Sequence, residues 1–208
     1  MIKSIKTLYE DPGMIEIEFE PIDQTIIDEI YNPENFEQVS FENLVVEGGR
    51  KRLTNKARST RSYKKIVKHF NPMFKEITKA LTEIDKIRYP VFYDFNDWWN
   101  KNNFNHWEKQ GFMLIEDQAG FSQPWHLDNR FSMWAGSINL ENNVTKTAFS
   151  KTNHDWTDNG HDPDRKFYEA SNKKWTGTFW LNTENNWHAV PLVQQDRRAI
   201  VCNLLLAS

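Results

Sequence analysis

The chain has 208 residues, 38% apolar and 26% charged, with 26 basic side chains against 29 acidic ones. This excludes a disordered chain, gives no global charge that selects nucleic acid by itself, and allows one domain whose core needs no metal or disulfide staple. The longest apolar stretch, Ala199–Leu206, is broken by Asn203 and is too short for a membrane helix.

The opening residues carry lysines but no apolar segment, so no signal peptide is expected. Met14–Glu20 predicts a strand, because Ile15, Ile17 and Phe19 alternate with Glu16, Glu18 and Glu20. Pro21 ends it, and Asp23 can cap a short helix to Tyr31 with Ile26, Ile27 and Ile30 inward. Asn32–Gly49 reads as loop and short strand, densest in apolar residues at Leu44–Val46. From Arg50 to Lys65 basic residues crowd together with no acid among them. Such a run either grips an anion or forms a solvated or mobile segment, and its lack of pattern favours the second. Ser62–Phe70 then predicts a helix. Another follows, with Asn71 as its cap, Pro72 at its first position, and Phe74, Ile77, Leu81 and Ile84 along one stripe.

From Pro90 the texture changes to short runs separated by turns. Phe112–Ile115, Phe121–His126, Phe131–Leu140, Thr147–Ser150, Thr176–Leu181 and Ala199–Leu206 are the expected strands, and Asn153–Lys174 is expected to be a polar loop. Many short strands with polar turns predict a mainly β sandwich or barrel, flanked by the N-terminal helices. The single cysteine, Cys202, forbids an internal disulfide and fits a reducing, cytoplasmic setting.

Histidine is the informative residue type, with six in the chain. His126-Leu127-Asp128 sets an imidazole and a carboxylate two residues apart, and on a strand such residues share a face. A distant second histidine would complete the two-His-one-carboxylate set that leaves open positions on non-haem Fe(II). The pair alone is weak evidence. His106-Trp107-Glu108 has the same spacing, but Trp98–Lys109 reads as helix or loop, where such residues diverge. His154 and His161 fall in the polar loop and are not expected to be ligands, and His69, on a helix, is expected to be structural. His188 differs: it follows the extended run Thr176–Asn182 and a polar turn, and Arg197 and Arg198 come shortly after it. An arginine buried near a metal is costly unless an anion pairs with it, and the far carboxylate of a chelated dicarboxylate would serve.

The segments GFMLIEDQAGFSQPWHLDNR (111–130), TFWLNTENNWHAV (178–190) and DRRAIVCNLLL (196–206) together resemble the Fe(II)/2-oxoglutarate-dependent dioxygenases, in particular small bacterial and phage-type members related to prolyl hydroxylases. The resemblance covers Gln110–Leu206. It implies a double-stranded β-helix (jelly-roll, cupin-like) fold in a single domain over 1–208, with a strand and helices at 1–109 flanking a catalytic core at 110–208. It implies iron bound by His126, Asp128 and His188, and the C5 carboxylate of 2-oxoglutarate held by Arg197. Arg198 is the rival, since strand alternation turns only one of the two inward. The implied reaction couples O2 and 2-oxoglutarate to hydroxylation of a C–H bond, releasing succinate and CO2, with ascorbate as an accessory reductant. The carboxylate of Asp128 argues against the halogenase branch. Asn129 and Arg130 either touch substrate or simply face a loop. Trp125, Trp134, Trp180 and Trp187 either line the cavity or fill the core.

Two other readings stay open on the residues alone: a jelly-roll module binding carbohydrate or another ligand on Trp faces, and a cupin-type metal-dependent hydrolase or isomerase. The primary substrate is not legible. The basic run points to an anionic one, nucleic acid included, and no membrane partner is expected.

Overall fold

A computed structural model of the chain describes residues 1–39, 49–85, 95–104, 106, 109–128, 131–151 and 166–206. The chain opens with β1 (Ile2–Tyr9), β2 (Met14–Phe19), α1 (Gln24–Ile30) and β3 (Phe36–Gln38). It continues through β4 (Arg50–Leu53), α2 (Asn55–Arg58), α3 (Arg61–Phe70), α4 (Met73–Ile84) and α5 (Phe95–Lys101). The remainder is β5 (Gln110–Asp117), β6 (Gln123–His126), β7 (Ser132–Asn139), β8 (Ala148–Ser150), β9 (Tyr168–Glu169), β10 (Thr176–Leu181), β11 (Trp187–Val190) and β12 (Arg197–Leu205). Among the described residues the strands make an antiparallel sheet of eight, ordered β1-β2-β10-β7-β12-β5-β4-β3, and one of four, ordered β6-β11-β8-β9. This is the expected mainly β jelly-roll architecture with N-terminal helices.

Alternation divides the large sheet. Ile15, Ile17 and Phe19 of β2, Trp134 and Ile138 of β7, Phe179 of β10, and Ile200 and Leu204 of β12 pack with Ile66 and Phe70 of α3 and Phe74, Ile77 and Leu81 of α4. Met14, Ala135, Phe149 and Trp180 pack together on the other side, toward the small sheet. β2, β7 and β10 therefore each feed a helix-covered core from one face and the interior of the roll from the other. Thr78 of α4 anchors this layer by accepting the indole N–H of Trp134 at 2.8 Å.

The helix starting at Asp23 is present, and its carboxylate accepts the Thr25 N–H at 3.0 Å. Asn71 does not cap α4. It has helical dihedrals and ends α3, donating its N–H to Val67, so Pro72 takes the cap position without a side-chain bond. An N-cap side chain needs extended backbone, and the two-residue step between the helices leaves none. β1, with no apolar alternation, went unread; it is an exposed lysine-bearing edge strand. β9 falls inside the expected polar loop, paired to β8. The Leu44–Val46 run, His154, His161, Asn129, Arg130 and Glu108 lie outside the described residues.

The basic run is corrected most. Its first residues form β4, hydrogen-bonded between β3 and β5, and the next ones form α2 and α3. Arg50, Lys51 and Arg52 each meet an acid from another strand: Asp117, Glu116 and Glu37. The run looked unopposed because its partners are distant in sequence.

Candidate active site

Antiparallel pairing of β6 with β11 sets His188 opposite His126, with ring centroids 4.1 Å apart. Asp128 lies two residues beyond the last residue of β6, off the strand rather than on it, yet its Oδ2 is 3.6 Å from His188 Nε2. One donor atom from each of His126, Asp128 and His188 falls within 4.8 Å of the other two. His106 is elsewhere, on a bend after α5, and His69 of α3 contacts the Glu20 carbonyl and the N-terminal amine.

Both imidazoles are oriented in the same way. His126 Nδ1 lies 2.8 Å from the Pro124 carbonyl and His188 Nδ1 lies 3.3 Å from that of Asn186, each two residues back. A carbonyl can only accept, so Nδ1 carries the proton and Nε2 presents a lone pair. Burial pushes the His126 imidazole down to about 3, aided by its neighbour His188, and the His188 imidazole down to about 4. Both rings are therefore neutral at physiological pH, as metal ligation requires. Burial raises the Asp128 carboxyl, opposed by His126 and by the Trp180 indole N–H, which donates to Oδ2 at 3.0 Å. Two neutral imidazole nitrogens and one carboxylate oxygen, each steered by an outer hydrogen bond, are a donor set that fits Fe(II). The side-chain amide of Gln123 lies 3.0 Å from His126 Nε2, and a metal there requires that amide to turn away.

The same cavity is lined at another side by Arg197 and Arg50, and Trp180 and Thr147 also line it. The cross-strand register explains how the arginines come together. Asp117 of β5 is opposite Arg50 on β4 and opposite Arg197 on β12. Directly paired residues on adjacent strands share a face, so the three side chains converge inside the roll. Asp117 is fully buried and receives Arg50 Nε at 2.6 Å on Oδ1, and Arg50 Nη2 at 3.1 Å, Arg197 Nε at 3.1 Å and Arg197 Nη2 at 3.0 Å on Oδ2. Burial works to raise the Asp117 carboxyl, but the two guanidiniums outweigh it and hold the pKa below its ordinary value. One residue along each strand, Lys51, Glu116 and Arg198 repeat the pattern on the opposite face, with both ion pairs at 3.3 Å. Arg197 is thus in the cavity, while Arg198 lies against Glu116 and over the ring of Tyr31.

The anion expected to accompany a buried arginine is, in the first instance, part of the chain itself: Asp117. Arg50 entered the sequence reading only as the first residue of the basic run, and Asp117, Gln123 and Thr147 were not singled out. Like-charged dipeptides at 50–51, 116–117 and 197–198 were the available signal, but only strand neighbours reveal that they form a triplet on each face. Of the four tryptophans, Trp180 lines the cavity, whereas Trp125 and Trp134 are fully buried in packing clusters and Trp187 is partly buried against one of them.

No protein-family model matches the sequence, and no curated protein matches it either. Solved structures do resemble the fold. A prolyl hydroxylase from Trichoplax adhaerens, in complex with a hypoxia inducible factor oxygen degradation domain peptide, has 10% identity and a TM-score of 0.61, over 93% of this chain and 83% of the other. A Pseudomonas putida prolyl-4-hydroxylase has 8% identity and a TM-score of 0.55, over 93% and 92%. The epimerase SnoN, in complex with Fe3+, alpha ketoglutarate and nogalamycin RO, has 8% identity and a TM-score of 0.54, over 93% and 78%. The chain has the jelly-roll fold of 2-oxoglutarate-Fe(II) oxygenases. Among the described residues no helix is long and apolar enough to cross a membrane.

Proposed function

We propose that this protein is an Fe(II)/2-oxoglutarate-dependent oxygenase that hydroxylates a C–H bond of an organic substrate and releases succinate and CO2. One observation carries the reading: a convergent His126, Asp128 and His188 donor set shares a cavity with the buried guanidinium of Arg197. Bound iron, with 2-oxoglutarate and O2, supplies the oxidising chemistry that no side chain can.

The chain's residues bind and orient. His126 and His188 offer Nε2, their rings fixed by the Pro124 and Asn186 carbonyls, and Asp128 offers a carboxylate oxygen steered by Trp180. Arg197 holds the C5 carboxylate of the cosubstrate, with Thr147 hydrogen-bonded at Nη1 at 3.3 Å. Arg198 has no part in this, since it points to the helix-covered side. The metal-dependent hydrolase reading uses the same three ligands but gives no role to a surplus of buried positive charge at the other side of the cavity. The carbohydrate-module reading leaves the neutral, outward-steered Nε2 pair without a purpose.

The test is anaerobic addition of 2-oxoglutarate to the Fe(II)-loaded protein, followed by admission of O2. A weak visible charge-transfer band and then succinate release are expected, and ascorbate should prolong turnover. Folded, iron-loaded protein that gives neither band nor succinate would sink the reading. Screening candidate substrates for stimulated succinate release, anionic ones and nucleic acid included, identifies the primary substrate.

A further inference from the structure

Arg50 has more charge around it than a structural role explains. Asp117 is already paired with Arg197, and a single carboxylate neutralises a single guanidinium. The Arg50–Asp117–Arg197 triplet therefore carries one net positive charge, with the two arginines 8% and 4% exposed. A buried surplus charge is costly unless an anion joins it, and an apolar residue or a neutral donor at position 50 would avoid that cost. The guanidinium of Arg50 is also held on its other sides. It stacks over Phe121, 4.8 Å from the ring centroid, and Nη1 donates to Gln123 Oε1 at 3.3 Å. Of its five N–H groups, two reach Asp117 and one reaches Gln123, so two are left among the described residues, and Arg50 lines the same cavity as His126, Asp128 and His188.

Resting on the function proposed above, we propose that Arg50 is a second anchor for the far carboxylate of 2-oxoglutarate, acting with Arg197 as a two-guanidinium receptor whose spacing Asp117 sets. The receptor accepts one carboxylate, which brings the buried charge to zero. A dicarboxylic 2-oxo acid satisfies both sides of the cavity, whereas a monocarboxylic one such as pyruvate leaves the arginine surplus in place. Arg50 thereby contributes to selection of the cosubstrate as well as to its affinity.

The experiment measures binding, without turnover, of 2-oxoglutarate and of pyruvate to the Mn(II)-loaded protein under anaerobic conditions, by calorimetry. Wild type should prefer 2-oxoglutarate. R50Q should bind 2-oxoglutarate roughly tenfold or more weakly, as expected for loss of a charge-assisted hydrogen bond, with pyruvate binding changed little. R50K keeps the charge but loses the fork, so about a threefold or greater weakening is expected; it carries the test if R50Q does not fold. R198Q, on the opposite face, should bind as wild type does. If wild type binds 2-oxoglutarate while R50Q and R50K bind it equally well, Arg50 is only a structural partner of Asp117 and this proposal is overturned. If wild-type protein with metal bound takes up no 2-oxoglutarate, the function proposed above fails first.

Discussion

Replacing Asp117 by Asn tests the buried charge triplet most directly. The carboxylate has no exposure and takes four N–H contacts between 2.6 and 3.1 Å from two arginines. Asparagine is nearly isosteric and keeps one acceptor oxygen, so no cavity opens, but two guanidiniums are left facing each other with no counter-charge. Removing one partner of a buried ion pair costs about 3–5 kcal/mol. The retained acceptor and the opening toward the cavity place D117N near the lower figure, about 3 kcal/mol. In a chain of this size that corresponds to a fall of about 6–12 °C in Tm. The reference is E116Q, one residue along the same strand, where the partly exposed Lys51–Glu116–Arg198 triplet should lose no more than about 1 kcal/mol. Urea unfolding followed by tryptophan fluorescence, with thermal melts alongside, gives both values. Equal losses in D117N and E116Q would show that the inward and outward triplets are equivalent, and the case for a buried receptor would fall. A second readout has a definite sign. The pKa of Asp117 is held down in the folded state, so its stabilisation is complete above the unfolded value of about 3.9 and is lost as pH falls through and below it. Wild type should therefore lose stability below about pH 4 more steeply than D117N does.

W180F removes the N–H that steers Asp128 while keeping an aromatic ring in place, and should weaken Mn(II) or Co(II) binding about 10- to 100-fold; unchanged affinity in a metal titration would remove Trp180 from the site. H126A, D128A and H188A should each lose metal binding in the same titration with the β fold retained by circular dichroism, and wild-type-like affinity in any of them would displace that ligand. R197A should raise the 2-oxoglutarate requirement for succinate release and R198A should not; the reverse pattern would reassign the carboxylate to Arg198. G136A should destabilise the fold by about 1–3 kcal/mol, because a Cβ there lies 2.2 Å from Phe179 Cδ1 and 2.8 Å from the Thr178 carbonyl oxygen. A melt equal to wild type would mean that β7 and β10 can part at that position.

What local sequence determines here is what local physics controls. Alternation marked the strand at 14–19, short runs between polar turns marked those at 132–139 and 176–181, helical spacing marked α3 and α4, and Asp23 marked the start of α1. The resemblance to Fe(II)/2-oxoglutarate dioxygenases, carried by the order His-x-Asp, distal His and Arg, pointed to His126, Asp128, His188 and the pair Arg197-Arg198, and the first three share one cavity with Arg197. Tertiary structure decided what depends on register. A strand repeats every two residues, so Arg50-Lys51, Glu116-Asp117 and Arg197-Arg198 each have to send one charge inward and one outward, and the sequence is symmetric between the two choices. Hydrogen bonding of β4 and β12 to the two edges of β5 resolves the symmetry, joining residues 67 and 80 positions apart around one buried carboxylate. The same kind of pairing, between β6 and β11, brings His188 to His126. Neither partner carries any mark of the other along the chain, because the hydrogen bonds that align them are made by the backbone, which is the same at every residue.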